Sequence, residues 1–448
     1  MEPILIGIIG IGVMLFLLFW GVPVAVSMGI TAFLGYGVLR GWGPSLALAG
    51  SVLFDKAKSS ELAVICLFIL MGSFILHSGI ASRLFDTLNR WLSWIRGGMV
   101  VATTMSCAVF GACCGSSLAT AATFSRIAVP ELLRYGHHPE IATAAVAAAG
   151  TQAVLIPPSA LMVIYAILCE LPVGKCLVAG FLPGALSAFL YMVTVLAVVR
   201  LRPYLAPKVA KTFSWAERLR TLPNVLPLIL IGAFILCALF FGWAGVTEVG
   251  GVGAFACLMT ALIVAGPRKA HLEEASRHAG RQTAMILFII IAAVWYSRFI
   301  AISGLPTAVV DWVAASNIPP YGVLAVVLFM YVVLGMVMDV IGMLVITLPL
   351  VFPLITKLGF DPIWFGVIVI KMSEIAAITP PVGLNVYVTK VGVGNMATIG
   401  QIFKGCLYFL VADIATLLIL IAVPQISLLL PQYMACLLYT SPSPRDRG

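Results

Sequence analysis

The chain is poor in charged residues. Only 10% of its 448 residues are Asp, Glu, Lys or Arg, against about a quarter in soluble domains, and 62% are hydrophobic. No long polar stretch interrupts the chain, because apolar runs such as 4–19, 225–241 and 284–302 recur along almost its whole length. Such runs approach the ~20 residues that cross a hydrocarbon core. The composition excludes a large soluble domain and predicts a polytopic membrane protein in a lipid bilayer.

Several catalytic and energy-coupling motifs are also absent. There is no G-x-x-x-x-G-K-[ST] sequence, since Gly174-Lys175 lacks the upstream glycine, and this disfavours an ATP-driven pump. There is no H-E-x-x-H sequence, which disfavours an intramembrane metalloprotease. Cys113-Cys114 has no second Cys/His pair at zinc-like spacing, so we expect no transition metal. We therefore expect neither an enzyme nor an organic cofactor.

The glycines and prolines reveal an internal repeat. Glycine and proline set backbone geometry, so their recurrence at a fixed separation indicates two copies of one backbone. The pairs separated by 223 positions are Pro130/Pro353, Gly136/Gly359, Pro139/Pro362, Pro157/Pro380 and Pro158/Pro381. Further pairs such as Ser78/Ser303 and Gly79/Gly304 are separated by 225. We predict a first repeat over 1–200 and a second over 223–432.

The positive charges indicate that the two repeats are inverted. The formal net charge of +9 is concentrated in short loops, as cytoplasmic loops require, so nucleic acid is not an expected partner. Segment 82–98 carries three arginines, whereas its repeat partner 305–322 has no Lys or Arg. The linker 201–222 is strongly basic and is predicted to be cytoplasmic. Lys56 and Lys58 fit this topology poorly, because it places them outside.

The predicted fold is an all-α polytopic membrane protein with an inverted structural repeat. We expect about ten transmembrane helices, two re-entrant hairpins and two broken helices, with both termini outside. The first half is predicted to contain spans at 4–20, 21–39 and 60–78, an arm at 81–95, hairpin 1 at about 97–134 and a broken helix at about 138–168. The second half is predicted to contain hairpin 2 at about 320–358 and a broken helix at about 362–390. Residues 436–448 do not resemble protein sequence, and we interpret them as a non-native tail.

The hairpin tips are predicted to line a cavity. Stretch 97–134 has two legs shorter than ~20 residues around a centre of small residues, and backbone at a tip within the membrane must face protein or water. The tip of hairpin 2 lies around 335–342, where Asp339 aligns with Ser116. Close helix packing through small residues is the alternative for 115–117. An acid at this depth is costly, so Asp339 suggests a bound cation, with a salt bridge or a protonated acid as alternatives.

The two Pro-Pro steps predict broken helices. Proline lacks an N–H and clashes with the carbonyl four residues earlier, so Ala153, Val154, Ala376 and Ala377 should lose their usual backbone partners. Free carbonyls are good ligands for hard cations. A simple kink in a packing helix is the alternative.

The predicted site combines both repeats and is expected to bind sodium and an anionic substrate. From hairpin 1 and the first broken helix it includes Gly115, Ser116, Ser117, Thr120, Ala153, Val154, Pro157, Pro158 and Ser159. From hairpin 2 and the second broken helix it includes Met338, Asp339, Gly342, Glu374, Ala376, Ala377, Thr379, Pro380, Gly383 and Asn385. The candidate sodium ligands are Ser116, Ser117, Asp339 and Thr379. Lys371 and Glu374 could instead neutralise each other on one helix face, and the roles of Arg298 and Asp413 stay open.

These residues resemble the large membrane subunit of TRAP (tripartite ATP-independent periplasmic) transporters, in the ion-transporter superfamily. The similarity covers about 1–432. It rests on Gly115-Ser-Ser-Leu-Ala-Thr120, Pro130-Glu131, Leu155-Ile-Pro-Pro-Ser159, Met338-Asp339, Gly359-Phe-Asp-Pro362 and Thr379-Pro-Pro-Val-Gly-Leu-Asn385.

The resemblance implies sodium-coupled import of a small organic anion, such as a C4-dicarboxylate or a sugar acid, by an elevator mechanism. It implies two protein partners, a small four-span membrane subunit and a periplasmic substrate-binding protein, and a location in the bacterial inner membrane. The alternative is a stand-alone sodium/carboxylate symporter that works without a binding protein.

Overall fold

A computed structural model describes residues 2–152, 154–207, 213–266 and 271–440, with backbone alone for residues 57, 60, 61 and 435–440. Helices and short connections make up this part of the chain, and it contains no strand. The first half comprises α1 (Pro3–Phe19), α2 (Val24–Arg40), α3 (Trp42–Lys58), α4 (Ser60–His77), α5 (Ile80–Leu92), α6 (Gly98–Cys114), α7 (Ser117–Arg134), α8 (Pro139–Gln152), α9 (Ala160–Leu168), α10 (Val173–Ala179) and α11 (Phe181–Leu201). The second half comprises α12 (Trp215–Thr221), α13 (Leu226–Phe240), α14 (Val246–Ala265), α15 (Leu272–Ile302), α16 (Leu305–Ala315), α17 (Pro320–Gly335), α18 (Val340–Lys357), α19 (Pro362–Ile378), α20 (Leu384–Val393), α21 (Ile399–Ala422) and α22 (Gln425–Thr440).

The all-helical membrane fold predicted from composition is confirmed. Within the described residues five helices are long and apolar enough to cross a bilayer, or seven if each of two sharply bent helix pairs counts as one span. Five further apolar helices have 10–17 residues, among them one leg of hairpin 1 and one leg of hairpin 2. Part of the interpreted tail, 441–448, lies outside the described residues, as do positions 208–212 of the linker.

The helix α3 was not foreseen. The prediction left 40–59 without an element; this segment has Gly43-Pro44 near its start and Asp55, Lys56 and Lys58 near its end. In the structure this segment is a 17-residue helix that packs against α2 and α15.

The backbone conformation recurs between the two halves. The helices α7 and α18 start at 117 and 340 and end at 134 and 357, so both ends are separated by 223. Before the arm helices α5 and α16, Gly79 and Gly304 have φ angles of 73° and 71°, a region that glycine adopts without steric cost. The hydroxyls of Ser78 and Ser303 each donate to the carbonyl three residues earlier, over 2.7 Å in both cases. The opposite orientation of the halves in the membrane stays a prediction.

One scaffold element differs between the halves. Helices α3 and α4 meet at Ser59, whereas the corresponding region of the second half is the single 31-residue helix α15. We call α1–α4 and α13–α15 the scaffold helices, since α15 packs on α2 and α4 and α4 packs on α14. The hairpins, the broken helices and the helices that follow them form the hairpin group, α6–α11 and α17–α22.

Within the hairpin group the second part of each broken helix packs on the other repeat. The helix α9 contacts α18 and α19, while α20 contacts α7 and α8. The crossing is close, because a Cβ added at Gly366 would lie 2.3 Å from the ring of Tyr165, whose hydroxyl donates to the Pro362 carbonyl over 2.6 Å. The two repeats therefore interlock around their breaks.

Candidate functional site

A cavity of about 490 Å³ lies where the hairpin tips meet the two breaks. The first half contributes the tip 114–118 and parts of the first break, and the second half contributes the tip 339–341 and parts of the second break. Its remaining wall comes from the scaffold helices α2, α4 and α15. The cavity thus lies between the hairpin group and the scaffold helices.

The lining has an internal symmetry that follows the repeat. Residues of the first half recur in the lining 223 positions later, so the two copies of the backbone face each other across one space. The pairs are Ser116/Asp339, Ser117/Val340, Leu118/Ile341, Val154/Ala377 and Leu161/Leu384. The geometry is duplicated, whereas the side chains are not.

Four helices begin at this cavity. The first residues of α7, α9, α18 and α20 all belong to its lining. The first turn of a helix leaves backbone N–H groups without intrahelical partners and carries a partial positive charge. Among the described residues that line the cavity there is no Lys, Arg or His, and Asp339 is the one charged side chain. The positive potential here comes from the backbone alone.

On the side of hairpin 1 the predicted residues form a capped turn. Gly115 ends α6 with φ of 68°, and Ser116 caps α7 by accepting from the Ala119 N–H over 3.3 Å. The Thr120 hydroxyl is buried and donates to the Ser116 carbonyl over 2.8 Å. Gly115, Ser116 and Ser117 line the cavity, whereas Thr120 supports the turn from behind.

Asp339 caps the equivalent helix of hairpin 2. Its Oδ2 accepts from the N–H groups of Ile341 and Gly342 over 3.1 and 3.2 Å. Within the described part of the chain no basic side chain lies within 4 Å of this carboxylate, so the salt bridge left open by the sequence is not formed. Met338 and Gly342 flank the tip and do not line the cavity. Ser, Asp and Asn are the usual capping residues, so the sequence alone could have predicted that Asp339 caps a helix.

At the first break the predicted residues divide into lining and support. Val154 and Pro158 line the cavity, while Pro157 and Ser159 do not. Ser159 is fully buried and caps α9 by accepting from the Met162 N–H over 3.2 Å. Ala153 lies outside the described residues.

At the second break Ala377 and Asn385 reach the cavity. Asn385 is fully buried; its Nδ2 donates to the Ala147 carbonyl over 3.2 Å, and its Oδ1 has no hydrogen-bond partner in the structure. The Ala376 carbonyl has no usual helical donor, since position 380 is proline, and it accepts instead from the Thr379 N–H over 3.2 Å. The Ala377 carbonyl loses both usual donors, since Pro380 and Pro381 have no N–H.

Thr379, Pro380 and Gly383 shape the second break without lining the cavity. The Thr379 hydroxyl donates to the Ile375 carbonyl over 2.6 Å, which ties it to its own helix. Gly383 starts α20 with φ of 58°, and the Pro-Pro peptide bonds of both breaks are cis.

Glu374 does not reach the cavity, which corrects its place among the site residues. Lys371 Nζ donates to Glu374 Oε2 over 2.8 Å and to Asp413 Oδ1 over 2.7 Å, and all three side chains are buried. The neutralisation that the i, i+3 spacing allowed is therefore present, with Asp413 as an additional partner 42 residues away. Arg298 is exposed and lines a separate cavity of about 390 Å³ together with Lys56.

The sequence reasoning missed the scaffold wall of the cavity. Phe68 and Ile69 of α4 and Gln282 of α15 belong to the lining. Gln282 is a polar residue near the start of an apolar run, and this could have indicated that it faces a cavity. The sequence contains no such indication for Phe68 and Ile69, because apolar residues that line a cavity and apolar residues that face lipid cannot be distinguished in a span.

Comparisons with known proteins agree on one family. Residues 11–426 match the model of "Tripartite ATP-independent periplasmic transporter, DctM component". A C4-dicarboxylate TRAP transporter large permease protein from Pseudomonas aeruginosa is 34% identical over 85% of this chain and 88% of its own length. Its namesake from Vibrio cholerae is 30% identical over 96% and 98%. An ectoine/5-hydroxyectoine TRAP transporter large permease from Ruegeria pomeroyi is 26% identical over 93% and 96%.

A solved structure shares the fold. The YdaH transporter of Alcanivorax borkumensis superposes with a TM-score of 0.57 at 15% identity, covering 86% of this chain and 88% of that one.

Proposed function

The chain belongs to the family of DctM components of tripartite ATP-independent periplasmic transporters, and we propose that it imports a small organic anion together with sodium ions. It is a multi-pass membrane protein and a transporter subunit. The substrate class, the coupling ion and the movement are the parts of this proposal that need argument and test.

The observation that carries the proposal is the convergence of four helix N-termini on one cavity. The first-turn N–H groups that the caps Ser116, Ser159 and Asp339 leave free, together with the helix dipoles, favour an anion there without any basic side chain. A carboxylate can accept from backbone N–H groups of either hairpin tip. The volume of about 490 Å³ suits a small organic acid.

Asp339 supplies the argument for a coupling cation. An anionic substrate that enters this cavity meets the exposed Asp339 carboxylate, and two like charges at close range repel each other. A sodium ion near Asp339 would remove that repulsion, so binding of the cation and of the anion would favour each other. Oxygen ligands are available in the Asp339 carboxylate, the unpartnered Oδ1 of Asn385 and the Ala377 carbonyl. Ser116 and Ser117 are the corresponding candidates on hairpin 1.

We propose that the hairpin group slides against the scaffold helices as a unit. The cavity lies between these two groups, so their relative displacement would carry it across the membrane. The contact at the tip of hairpin 1 is close and lacks side chains, because a Cβ added at Gly72 of α4 would lie 2.3 Å from the Cys114 carbonyl. A smooth contact of this kind suits sliding better than interdigitated side chains do.

The proposed partners follow from the family. The name of the matching model describes a tripartite, periplasmic system, so we propose a small four-span membrane subunit and a periplasmic substrate-binding protein as partners in the bacterial inner membrane. Two relatives are named for C4-dicarboxylates, which makes these acids the first candidate substrates. A relative named for ectoine and 5-hydroxyectoine indicates that the family accommodates other small solutes.

Reconstituted uptake tests the proposal. The chain and its small subunit are placed in proteoliposomes, the binding protein is added outside, and uptake of labelled C4-dicarboxylates is followed under a sodium gradient or an equal potassium gradient. We expect uptake only when the sodium gradient and the binding protein are both present. Equal uptake with potassium would contradict sodium coupling, and equal uptake without the binding protein would favour the stand-alone symporter.

The site assignment is tested separately in the same system. Asp339→Ala and Ser116→Ala, made one at a time, should abolish sodium-dependent uptake while each protein still inserts, because each removes a candidate sodium ligand. Full activity in both variants would overturn the assignment and leave the fold intact.

A further inference from the structure

A buried polar cluster lies beside the cavity and is separate from it. It consists of Gln152, Ser187, Tyr191, Lys371, Glu374 and Asp413. All six side chains are 2% exposed or less, and none of them lines the cavity. We call this set the polar cluster.

The cluster connects four helices through one ammonium group and one hydroxyl. Lys371 Nζ donates to Ser187 Oγ over 2.7 Å, besides its bonds to Glu374 and Asp413. The second Asp413 oxygen accepts from the Tyr191 hydroxyl over 2.8 Å. Gln152 Nε2 donates to the same Ser187 Oγ over 3.5 Å. Ser187 therefore joins α8 to α19 by way of α11.

The position of the cluster is informative. Gln152 is the last residue of α8, directly before the first break, and Glu374 lies four residues before the end of α19 at the second break. A series of hydrogen bonds from Gln152 through Ser187 and Lys371 to Glu374 thus connects the two breaks. Both breaks also contribute to the cavity lining, through Val154 and Ala377.

Simple cohesion does not require such a cluster. Well-packed apolar side chains hold helices together at least as well as a buried ion pair, which is costly to desolvate. The surrounding helices already provide apolar packing, since nearly every residue of α8 and α19 is buried. What directional bonds add is a fixed relation between the groups they join.

The cluster also retains unused bonding capacity. Glu374 Oε1 and Gln152 Oε1 are buried and have no hydrogen-bond partner in the structure. Each could accept a bond in another arrangement of the same side chains. An element with alternative bonding arrangements is what transmission between two sites requires.

We propose that Gln152 and Ser187 are positioning residues that couple the two breaks. When the backbone of one break becomes more or less ordered, the backbone of the other changes with it. This inference rests on the proposed function in one respect, because it takes the breaks to be where the coupling ions act. It adds that the ion sites of the two repeats are linked through the polar cluster and not only through the shared cavity.

The experiment uses Gln152→Leu and Ser187→Ala in the full chain. Both leave Lys371 paired with its two carboxylates, so neither exposes an unpaired buried charge. Thr416→Ala is the matched control, because its buried hydroxyl donates to the Ala412 carbonyl of its own helix, one turn from Asp413. Insertion and thermal unfolding are recorded first for all three variants.

Amide hydrogen exchange is the first measurement and needs no sodium coupling. Gln152→Leu changes α8, so we expect faster exchange at the remote second break, in peptides covering 379–388, by roughly fivefold or more. Thr416→Ala should leave these peptides unchanged. Faster exchange confined to the first break would overturn the coupling.

The sodium dependence of uptake is the second measurement. In Ser187→Ala and Gln152→Leu the Hill coefficient for sodium should fall toward one, while a purely structural role would lower the uptake rate and leave the coefficient unchanged. An unchanged coefficient in both variants would overturn the inference. Sodium-independent uptake by the wild type would remove the proposed function, and hydrogen exchange would then decide the coupling by itself.

Discussion

The two halves of the hairpin group share a backbone and differ in charge. Where the first half has Ser116 at its hairpin tip, the second has Asp339. Where α8 has Ala148 and Thr151, α19 has Lys371 and Glu374, and Lys371 binds both Glu374 and Asp413. A duplicated fold thus keeps its geometry in both copies, while these charged side chains occur in the second copy alone. We expect the second half to be the more sensitive to charge substitutions.

The largest effect is expected from Lys371→Met. The substitution leaves Glu374 and Asp413 buried without their cation, and breaking a buried ion pair costs about 3–5 kcal/mol. We expect little folded protein and a strongly lowered melting temperature in detergent. The triple substitution Lys371→Met, Glu374→Gln, Asp413→Asn removes all three charges and should recover much of the loss. Wild-type stability in the single variant would show that the charges of α19 are not essential to its packing.

An exchange between the hairpin tips should affect transport more than stability. Asp339→Ser gives the second tip the residue of the first and preserves a capping side chain, so stability should change little. It removes the one charge of the cavity lining, and sodium-dependent uptake should fall at least about tenfold. Ser116→Asp is the reciprocal variant and places a second carboxylate in the cavity, which should weaken anion uptake. Unchanged sodium dependence in Asp339→Ser would show that the carboxylate has no part in coupling.

An intermediate loss of stability is expected where the repeats interlock. Gly366→Ala places a methyl group 2.3 Å from the Tyr165 ring, and overpacking of this kind costs about 1–3 kcal/mol. The first half has Thr143 at the equivalent position, so the requirement for glycine belongs to the second half alone. Thermal unfolding measures the effect. Gly400→Ala serves as the control, since nothing lies within 4 Å of its added Cβ, and equal melting temperatures for the two variants would contradict the close crossing.

The smallest effect concerns a loop histidine of the first half. Burial lowers the pKa of His137 and outweighs the opposite effect of the hydrogen bond between Nδ1 and the Leu132 carbonyl, so the folded state favours the neutral ring. This contribution to stability is present above the unfolded pKa of about 6.5 and is lost as the pH falls through the lowered value. His137→Phe copies Phe360 of the second half and should reduce the decline in melting temperature between pH 7.5 and 5.5. An identical decline in both proteins would exclude His137 as its source.

The sequence predicted what glycine and proline determine. The all-helical class, the family and the interruptions near Pro157 and Pro380 follow from composition and motif spacing, because these residues act on the backbone of their own segment. The partners of side chains were less accessible. The sequence could not pair Lys371 with Asp413, and it placed Glu374 in the cavity, because both outcomes depend on how separate apolar helices rotate against each other. The wall contributed by Phe68, Ile69 and Gln282 was missed for the same reason.

The exchange of helix ends between the repeats has a consequence for biosynthesis. The helix α9 rests on α18 and α19, which the ribosome makes more than 150 residues later, and α20 rests on α7 and α8. While only the first half exists, α9 has α4 and α10 beside it but lacks α18 and α19, and the face of α7 that α20 covers is bare. The packing of the first repeat in the membrane is therefore incomplete until the second repeat has been inserted. The cavity between the hairpin tips is completed only when α20, close to the end of the chain, is in place.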